Sequence, residues 1–331
     1  MLGRKVSPLT LVSAAITIAG ATLLSTASVQ AQSSNPVQIV VGFAAGGSSD
    51  GVTRIIAQKL EGELERPVIV ENKPGAIGRI AIDYVVRTPA GQSVFLVAPF
   101  SSLLMPALTE PQALRYDIFK DLRPVAGLTS YPLGLAVSAT TGVKNVADLK
   151  KWLAENPGKA QIATAGIGGH THFVGLEIGK ALDTNVEIVG YKGNGPLLID
   201  LIAGHVPMSV LVAGDTTQQI ESGKVNLVGV LSPERSPLMP NVPTFVEQGV
   251  PVDSGNAWYG MWAPATASDE EVARMEAAVR KALADPDIQR AIADRFNMAV
   301  DFRTSSESDE RLKGDYRHWE PIIKASGFKT M

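Results

Sequence analysis

Cysteine is missing from all 331 residues of this chain. Its absence excludes disulfide bonds, a thiolate nucleophile and metal sites built on cysteine ligands. A lipid anchor on an N-terminal cysteine is excluded for the same reason. Whatever the protein binds or transforms, it does so without thiol chemistry.

The chain also has little excess of positive or negative charge. The chain has 30 Lys and Arg against 33 Asp and Glu, which gives a formal net charge of −3. Proteins that bind nucleic acid neutralise phosphates with clustered basic residues. The weakly acidic balance therefore argues against a nucleic-acid partner. A chain of this length usually forms two domains.

Long apolar runs are confined to the start of the sequence. Residues 9–24 form a short apolar segment that follows Arg4 and Lys5, and small residues precede Ala31. This three-part pattern is typical of a secretory signal peptide. A membrane anchor is the alternative, but about 16 apolar residues fall short of the roughly 20 that span a bilayer. We expect residues 1–31 to be cleaved after Ala31, leaving a soluble protein in a periplasm.

Strand and helix patterns alternate in the rest of the chain. An apolar run at 37–43 predicts a buried strand, and a helix with apolar residues three and four positions apart follows it. Strands at 67–72 and 92–99 enclose a second predicted helix. This order is typical of a parallel sheet covered by helices, and so of an α/β protein. Further strands are predicted at 131–139, 160–166, 186–191, 206–214 and 224–232, followed by helices in the tail.

Two glycine-bearing turns, in different halves of the chain, share one plan. QIVVGFAAGGSSD (38–50) and QIATAGIGGHTHF (161–173) each run from a strand through glycines and polar residues into an amphipathic helix. A helix start offers unpaired N–H groups and partial positive charge, and glycine lets an anion approach them. Neither turn contains Lys or Arg, so the pair would suit one carboxylate better than a triphosphate. A turn that only packs a helix on a sheet is the alternative.

Nucleotide motifs are absent from the first turn. A phosphate-binding loop needs Lys after its second glycine, whereas Ser48 follows Gly47. The dinucleotide fingerprint G-x-G-x-x-G is also missing there. The sequence therefore gives no support for a nucleotide cofactor.

Histidine and aspartate side chains raise the possibility of catalysis. His170 and His172 fall at a helix start, where residues two positions apart point to different faces, which disfavours a shared metal. Asp50 and Asp215 are each interpreted as helix caps. Ser48, His172 and Asp215 could form a hydrolase triad, but no G-x-S-x-G elbow supports one. An exported hydrolase or lyase acting on a small carboxylic acid, with His172 and Asp50, is the alternative function.

A series of motifs resembles one family of solute receptors. VGFAAGGSSD (41–50) with Arg54, and VENKPGAIG (70–78), are similar to the paired opening of the receptors of tripartite tricarboxylate transporters, the Bug-type (Bordetella uptake gene) proteins. The opening in that family runs V-P-F-x-x-G-G-x-x-D-x-x-A-R and then V-E-N-K/R-P-G-A-x-G. The resemblance continues in order through 116–128, 166–178, 190–206, 220–230 and 241–251.

The resemblance implies an architecture and a function. It implies a two-lobed α/β periplasmic-binding-protein fold of type II, in which each lobe is a mostly parallel sheet flanked by helices and strands cross between the lobes. Lobe 1 would comprise 32–132 and 254–331, and lobe 2 would comprise 133–253. A small organic carboxylate would bind in the cleft and pass to a membrane permease. We expect no enzyme activity, no cofactor, no metal, no nucleic acid and a monomer.

The same resemblance assigns ligand binding to thirteen positions. Where the family often carries aspartates after a conserved valine, this chain has Pro207, Val210 and Leu211. A carboxylate that could meet an ammonium or hydroxyl of the ligand is therefore missing, which favours a plain mono- or dicarboxylate, aromatic acids included. The implied ligand-binding residues are Phe43, Gly46, Gly47, Ser48, Asp50, Ser101, Ser102, Ala165, Gly168, His172, Tyr191, Lys192 and Gly193.

Overall fold

The computed structural model describes residues 35–329, so the predicted signal peptide lies outside the described residues. Ten α-helices and ten strands occur within this range. The strands are β1 Val37–Val41, β2 Val68–Asn72, β3 Val94–Pro99, β4 Leu122–Ser138, β5 Gln161–Thr164, β6 Glu187–Gly190, β7 Met208–Val212, β8 Val225–Val230, β9 Asn256–Pro264 and β10 Ala299–Arg303. The helices are α1 Ser48–Leu64, α2 Arg79–Val86, α3 Phe100–Thr109, α4 Val146–Glu155, α5 His170–Ala181, α6 Asn194–Ala203, α7 Thr217–Glu221, α8 Asp269–Ala284, α9 Pro286–Phe296 and α10 Ser305–Ser326.

The first parallel group is centred on β1, which pairs with β2 on one side and β3 on the other. Strands β1 and β3 are rich in Val and almost wholly buried, as expected when helices cover both faces of a parallel sheet. Val52, Ile56 and Leu60 recur at helical spacing along α1 and are fully buried. The predicted order of three strands and two helices is confirmed.

The second parallel group is centred on β5, which pairs with β6 and β7. Helix α5 connects β5 to β6, and helix α6 connects β6 to β7. Parallel neighbours need such crossover helices because the chain must return to the same edge of the sheet. Both groups therefore repeat one pattern, with a glycine turn between the end of a central strand and the following helix.

Strand β4 joins the two parallel groups. Its first part, 122–132, pairs antiparallel with β9, and its second part, 133–138, pairs with β7 and β8. The strand order is β2-β1-β3-β9-β4-β7-β5-β6, with β8 and β10 also paired to β4. The sequence predicted only the second part of β4, since Pro124 and Gly127 interrupt the apolar pattern of the first, and it did not predict β10.

The C-terminal helices cover the crossing strands. Trp258 and Trp262 of β9 are fully buried and belong to the hydrophobic core. The Trp258 indole donates a hydrogen bond of 2.8 Å to Asp315 of α10. Among residues 35–329, none of the helices is both long enough and apolar enough to span a bilayer.

Candidate functional site

Four helices in the described part of the chain begin directly after glycine and lack a side-chain cap. These are α1 after Gly47, α2 after Gly78, α5 after Gly169 and α6 after Gly193. Their first-turn N–H groups are therefore available to a partner from outside the helix. Helices α4, α8, α9 and α10 instead have side-chain caps, supplied by Asn145, Ser268, Asp285 and Thr304.

Asp50 braces the first glycine turn. Its buried carboxylate accepts hydrogen bonds from the Gly46 N–H (2.9 Å), Arg54 Nε (3.0 Å) and Asn72 Nδ2 (2.9 Å). Burial by itself would raise the pKa of Asp50, but these hydrogen bonds and the Arg54 charge outweigh it and lower that pKa. Asp50 therefore holds the turn in place. The N–H of Gly46, a residue predicted to bind the ligand, already donates to the Asp50 carboxylate.

Phe43 and Ser102 both lie close to Gly78, the last residue of the VENKPGAIG motif. A methyl group at Gly78 would approach Ser102 Oγ to 3.3 Å and the Phe43 ring to 3.7 Å. The Ser102 hydroxyl is buried and has no hydrogen-bond partner among the described residues. Ser101 is its half-buried neighbour in the first turn of α3. Phe43 and Ser102 thus both lie against Gly78, which itself packs on Gly42 just before the first glycine turn.

The second glycine turn is held by His172. The Gly168 N–H donates a 3.1 Å hydrogen bond to His172 Nδ1, so this nitrogen carries no proton. The His172 ring is buried against Phe173 and Phe328, and burial lowers its pKa. Gly168 has a φ of +77°, which favours glycine at this position. His172 therefore supports the turn from behind.

His170 has a different environment, as the helical spacing predicted. Its ring lies between Phe100 and Trp319, with centroid distances of 5.1 and 4.8 Å, and its Nε2 has no partner among the described residues. Desolvation, with a smaller effect of His318, lowers its pKa to about 3. Within residues 35–329, no cluster of three His, Asp or Glu side chains could hold a metal ion.

The third turn connects β6 to α6. The Gly193 N–H donates a 3.1 Å hydrogen bond to the carbonyl of Ala165, which ties this turn to the second one. The Tyr191 hydroxyl donates to Asp200 (2.7 Å), and desolvation together with Asp200 raises the pKa of Tyr191 to about 12. Lys192 is exposed. A side chain at Gly193 would meet only open space.

Asp215 brings the first and third turns together. Ser48, the first residue of α1, donates a 3.0 Å hydrogen bond to Asp215 Oδ1. Asn194, the first residue of α6, donates a 2.9 Å hydrogen bond to Asp215 Oδ2. The interpretation of Asp215 as a helix cap is wrong, because α7 has Thr216 at its N-cap and no side-chain cap. Sequence reasoning missed Asn194 and the role of Asp215, although the neighbouring Ser48 and Gly193 were assigned to the ligand.

The alternative of a Ser48–His172–Asp215 hydrolase triad finds no support in the geometry. Ser48 donates directly to Asp215, whereas a nucleophilic serine must donate to a histidine base. His172 Nδ1 instead accepts from the Gly168 amide. Asp50 is also not the N-cap of α1, a position that Gly47 occupies, but lies in the first turn of that helix.

A second contact between the two parallel groups involves Ile77. A methyl group at Gly166 would lie 3.1 Å from Ile77 Cδ1. Ile77 has a φ of +55°, which is rare for a β-branched residue. Sequence reasoning missed Ile77, although it lies in the quoted VENKPGAIG motif. A pocket of about 160 Å³ opens beside this contact and is lined by Ala76, Ile77, Arg79, Met105, Pro106, Thr109, Glu110, Ile167, Gly168 and Gly169.

Two parallel α/β groups joined by crossing strands, with glycine turns facing each other, define a periplasmic-binding-protein fold. The chain matches the family model described as tripartite tricarboxylate transporter family receptor over residues 52–328. The match covers most of the chain, and the protein therefore belongs to this family of solute-binding receptors. The resemblance recognised in the sequence is confirmed.

Individual relatives agree with this assignment. The UPF0065 protein in the tcbD-tcbE intergenic region of Pseudomonas sp. (strain P51) is 30% identical over 88% of this chain and 86% of its own. The periplasmic binding protein BugD has 29% identity and a TM-score of 0.79, with coverage of 89% and 99%. MatC from Rhodopseudomonas palustris with bound malate has 27% identity and a TM-score of 0.77, with coverage of 87% and 98%.

Proposed function

We propose that this receptor binds a small organic carboxylate in the cleft between its two α/β lobes and delivers it to the membrane permease of a tripartite transporter. The observation that carries the proposal is that α1, α2, α5 and α6 all start after glycine without a side-chain cap. Their free N–H groups and partial positive charge suit a carboxylate. The malate bound to the related MatC supports this ligand class.

The site residues take two kinds of role in this proposal. The amides of Gly47 and Ser48 would contact the ligand carboxylate directly, while Gly168, whose amide donates to His172, would shape the second turn. Asp50 and His172 would hold the turns, because their polar atoms already accept backbone N–H groups. The rest of the proposed cleft is formed by Phe43, Gly46, Ser101, Ser102, Ala165, Tyr191, Lys192 and Gly193.

The lobes would close on the ligand, with 32–132 and 254–331 in one lobe and 133–253 in the other. Each lobe supplies only part of the donor set, so ligand binding stabilises the closed arrangement. Strands β4 and β9 pass between the lobes and would provide the hinge. We further propose that residues 1–31 are removed after Ala31 and that the mature protein acts in the periplasm as a monomer.

Thermal denaturation of the mature chain against a panel of acids tests the proposal. The panel contains C4–C6 dicarboxylates, citrate, amino acids and benzoate-type acids. A ligand that binds only the folded state raises the Tm. At a ligand concentration of 100 times Kd, it adds about 2.7 kcal/mol to the free energy of unfolding. We expect a shift of several degrees with one class of acid and no loss of that acid over hours. No shift with any acid would overturn the proposal, and consumption of the acid would favour the exported hydrolase or lyase.

A further inference from the structure

Asp215 is a carboxylate inside a site that is proposed to bind carboxylates. Its two oxygens accept from Ser48 Oγ and Asn194 Nδ2, which belong to the first residues of two uncapped helices. Burial raises the pKa of Asp215, although these two hydrogen bonds oppose the shift. Tyr131 and Tyr259 of the crossing strands lie near it, with ring centroids 5.1 Å apart.

This position would repel a ligand carboxylate unless something compensates. No Lys or Arg lies in the three glycine turns except the exposed Lys192, and Arg54 is paired with Asp50. An ionised carboxylate has about four acceptor positions, and the two hydrogen bonds that Asp215 receives use half of them. Asp215 can therefore accept a further donor, and the ligand is the available source of one.

We propose that Asp215 determines specificity by accepting a hydrogen bond from a hydroxyl or ammonium group adjacent to the carboxylate of the ligand. The inference rests on the proposed function of the cleft. The ligand carboxylate would lie on the uncapped helix starts, and its 2-substituent would face Asp215. The receptor would then prefer 2-hydroxy or 2-amino acids to the same acids without that group. This reverses the preference drawn from Pro207, Val210 and Leu211, because the missing carboxylate is supplied from position 215.

Isothermal titration at pH 7.5 with matched sets of acids tests the inference. Within each set the acids share a carbon skeleton and carry hydrogen, hydroxyl or ammonium at C2. The sets are succinate, malate and aspartate; glutarate, 2-hydroxyglutarate and glutamate; and phenylacetate, mandelate and phenylglycine. The variants are Asp215→Asn and Asp215→Ser, with the exposed Asp294→Asn as a control that changes the net charge equally. Circular dichroism establishes that each variant is folded.

We expect the unmodified receptor to bind the hydroxy or amino member of one set at least about tenfold more tightly than the unsubstituted acid, as a charged hydrogen bond allows. Asp215→Asn and Asp215→Ser should reduce that ratio by about tenfold, and Asp294→Asn should leave it unchanged. If the unsubstituted acid binds as tightly as its substituted partners, or if both Asp215 variants keep the ratio, the inference fails while the receptor function stands. If no acid in any set binds, the inference fails, and the receptor function fails with it only when the wider acid panel also gives no Tm shift.

Discussion

At the scale of single residues, the site depends on backbone conformations that side chains rarely adopt. Gly46 has a φ of +87°, is exposed and has open space where a side chain would begin. Its N–H donates to the Asp50 carboxylate, which holds the turn from the protein side. The outer side of the turn carries no side chain at this position. A side chain can therefore be introduced at this position with little disturbance of the core.

Gly46→Asp should weaken binding of the cognate carboxylate by about 100-fold or more. Two unit charges about 6 Å apart at an effective dielectric constant of about 20 repel by roughly 3 kcal/mol. Gly46→Asn is the matched control, because Asn has the same shape and tolerates positive φ equally well. Titration calorimetry should show a much smaller loss for Asn. Equal losses in the two variants would show that charge at this turn does not face the ligand.

At the scale of helices and strands, the described chain uses two kinds of helix start. Asn145 caps α4 with a hydrogen bond to the Asp148 N–H of 2.9 Å, in the usual stabilising way. Helices α1, α2, α5 and α6 follow glycine and have no side-chain cap, so their first-turn N–H groups can bind an acceptor from outside the helix. Stability and binding are therefore alternative uses of the same backbone groups.

Gly47→Ser should weaken ligand binding, because the serine side chain would cap helix α1. Gly47 has extended backbone angles, and a Cβ there would lie 3.7 Å from the Ala44 carbonyl, so serine fits. Its hydroxyl would accept a first-turn N–H, so we expect affinity to fall about tenfold or more while stability changes by only a few tenths of a kcal/mol. Calorimetry and urea denaturation measure the two effects.

Two controls separate capping from added volume. Gly47→Ala fills the same space without a hydroxyl and should retain affinity, at a cost in stability of about 1 kcal/mol. Asn145→Ala should cost about the same and leave ligand binding unchanged, because α4 is not part of the proposed cleft. If alanine and serine at position 47 weaken binding equally, the helix-start donors are not the basis of recognition.

At the scale of the whole molecule, His170 connects helices from the two parallel groups. It lies at the start of α5, and its ring packs between Phe100 of α3 and Trp319 of α10. The ring is buried without a hydrogen-bond partner on Nε2 in the described range, and burial lowers its pKa to about 3. The native packing therefore requires the neutral form of this side chain.

Stability should fall with acid because of this histidine. The folded pKa lies below the unfolded value of about 6.5, so the unfolded chain binds the proton first. The contribution is complete above pH 6.5 and is lost as the pH falls toward 3, by up to about 1.4 kcal/mol per pH unit. Urea denaturation should show a loss of about 2 kcal/mol at pH 5 relative to pH 8.

His170→Phe isolates the effect, because phenylalanine suits the aromatic neighbours and does not titrate. The variant should lose about 2 kcal/mol less than the unmodified protein between pH 8 and pH 5. His172, whose pKa is also lowered by burial, contributes a loss in the same direction and is unchanged in this comparison. An identical pH dependence in the two proteins would show that His170 does not limit acid stability.

Local patterns in the sequence were enough to predict the parallel strands, the helices between them and the glycine turns. These features depend on neighbours a few positions apart, and the spacing of apolar residues reports such relations directly. The ordered series of motifs also led to the family. The first part of β4 was missed because Pro124 and Gly127 resemble turn residues, whereas pairing with β9 keeps that segment extended.

Tertiary structure alone decided how the turns are used. Ser48 and Asp215 are 167 positions apart, so the spacing of residues along the sequence could not predict their hydrogen bond. In the same way, the sequence suggested ligand-binding or catalytic roles for Asp50 and His172. Only the folded structure shows that backbone N–H groups donate to both side chains. A polar side chain has its role set by the donors and charges that surround it, and those come from strands and helices distant along the chain.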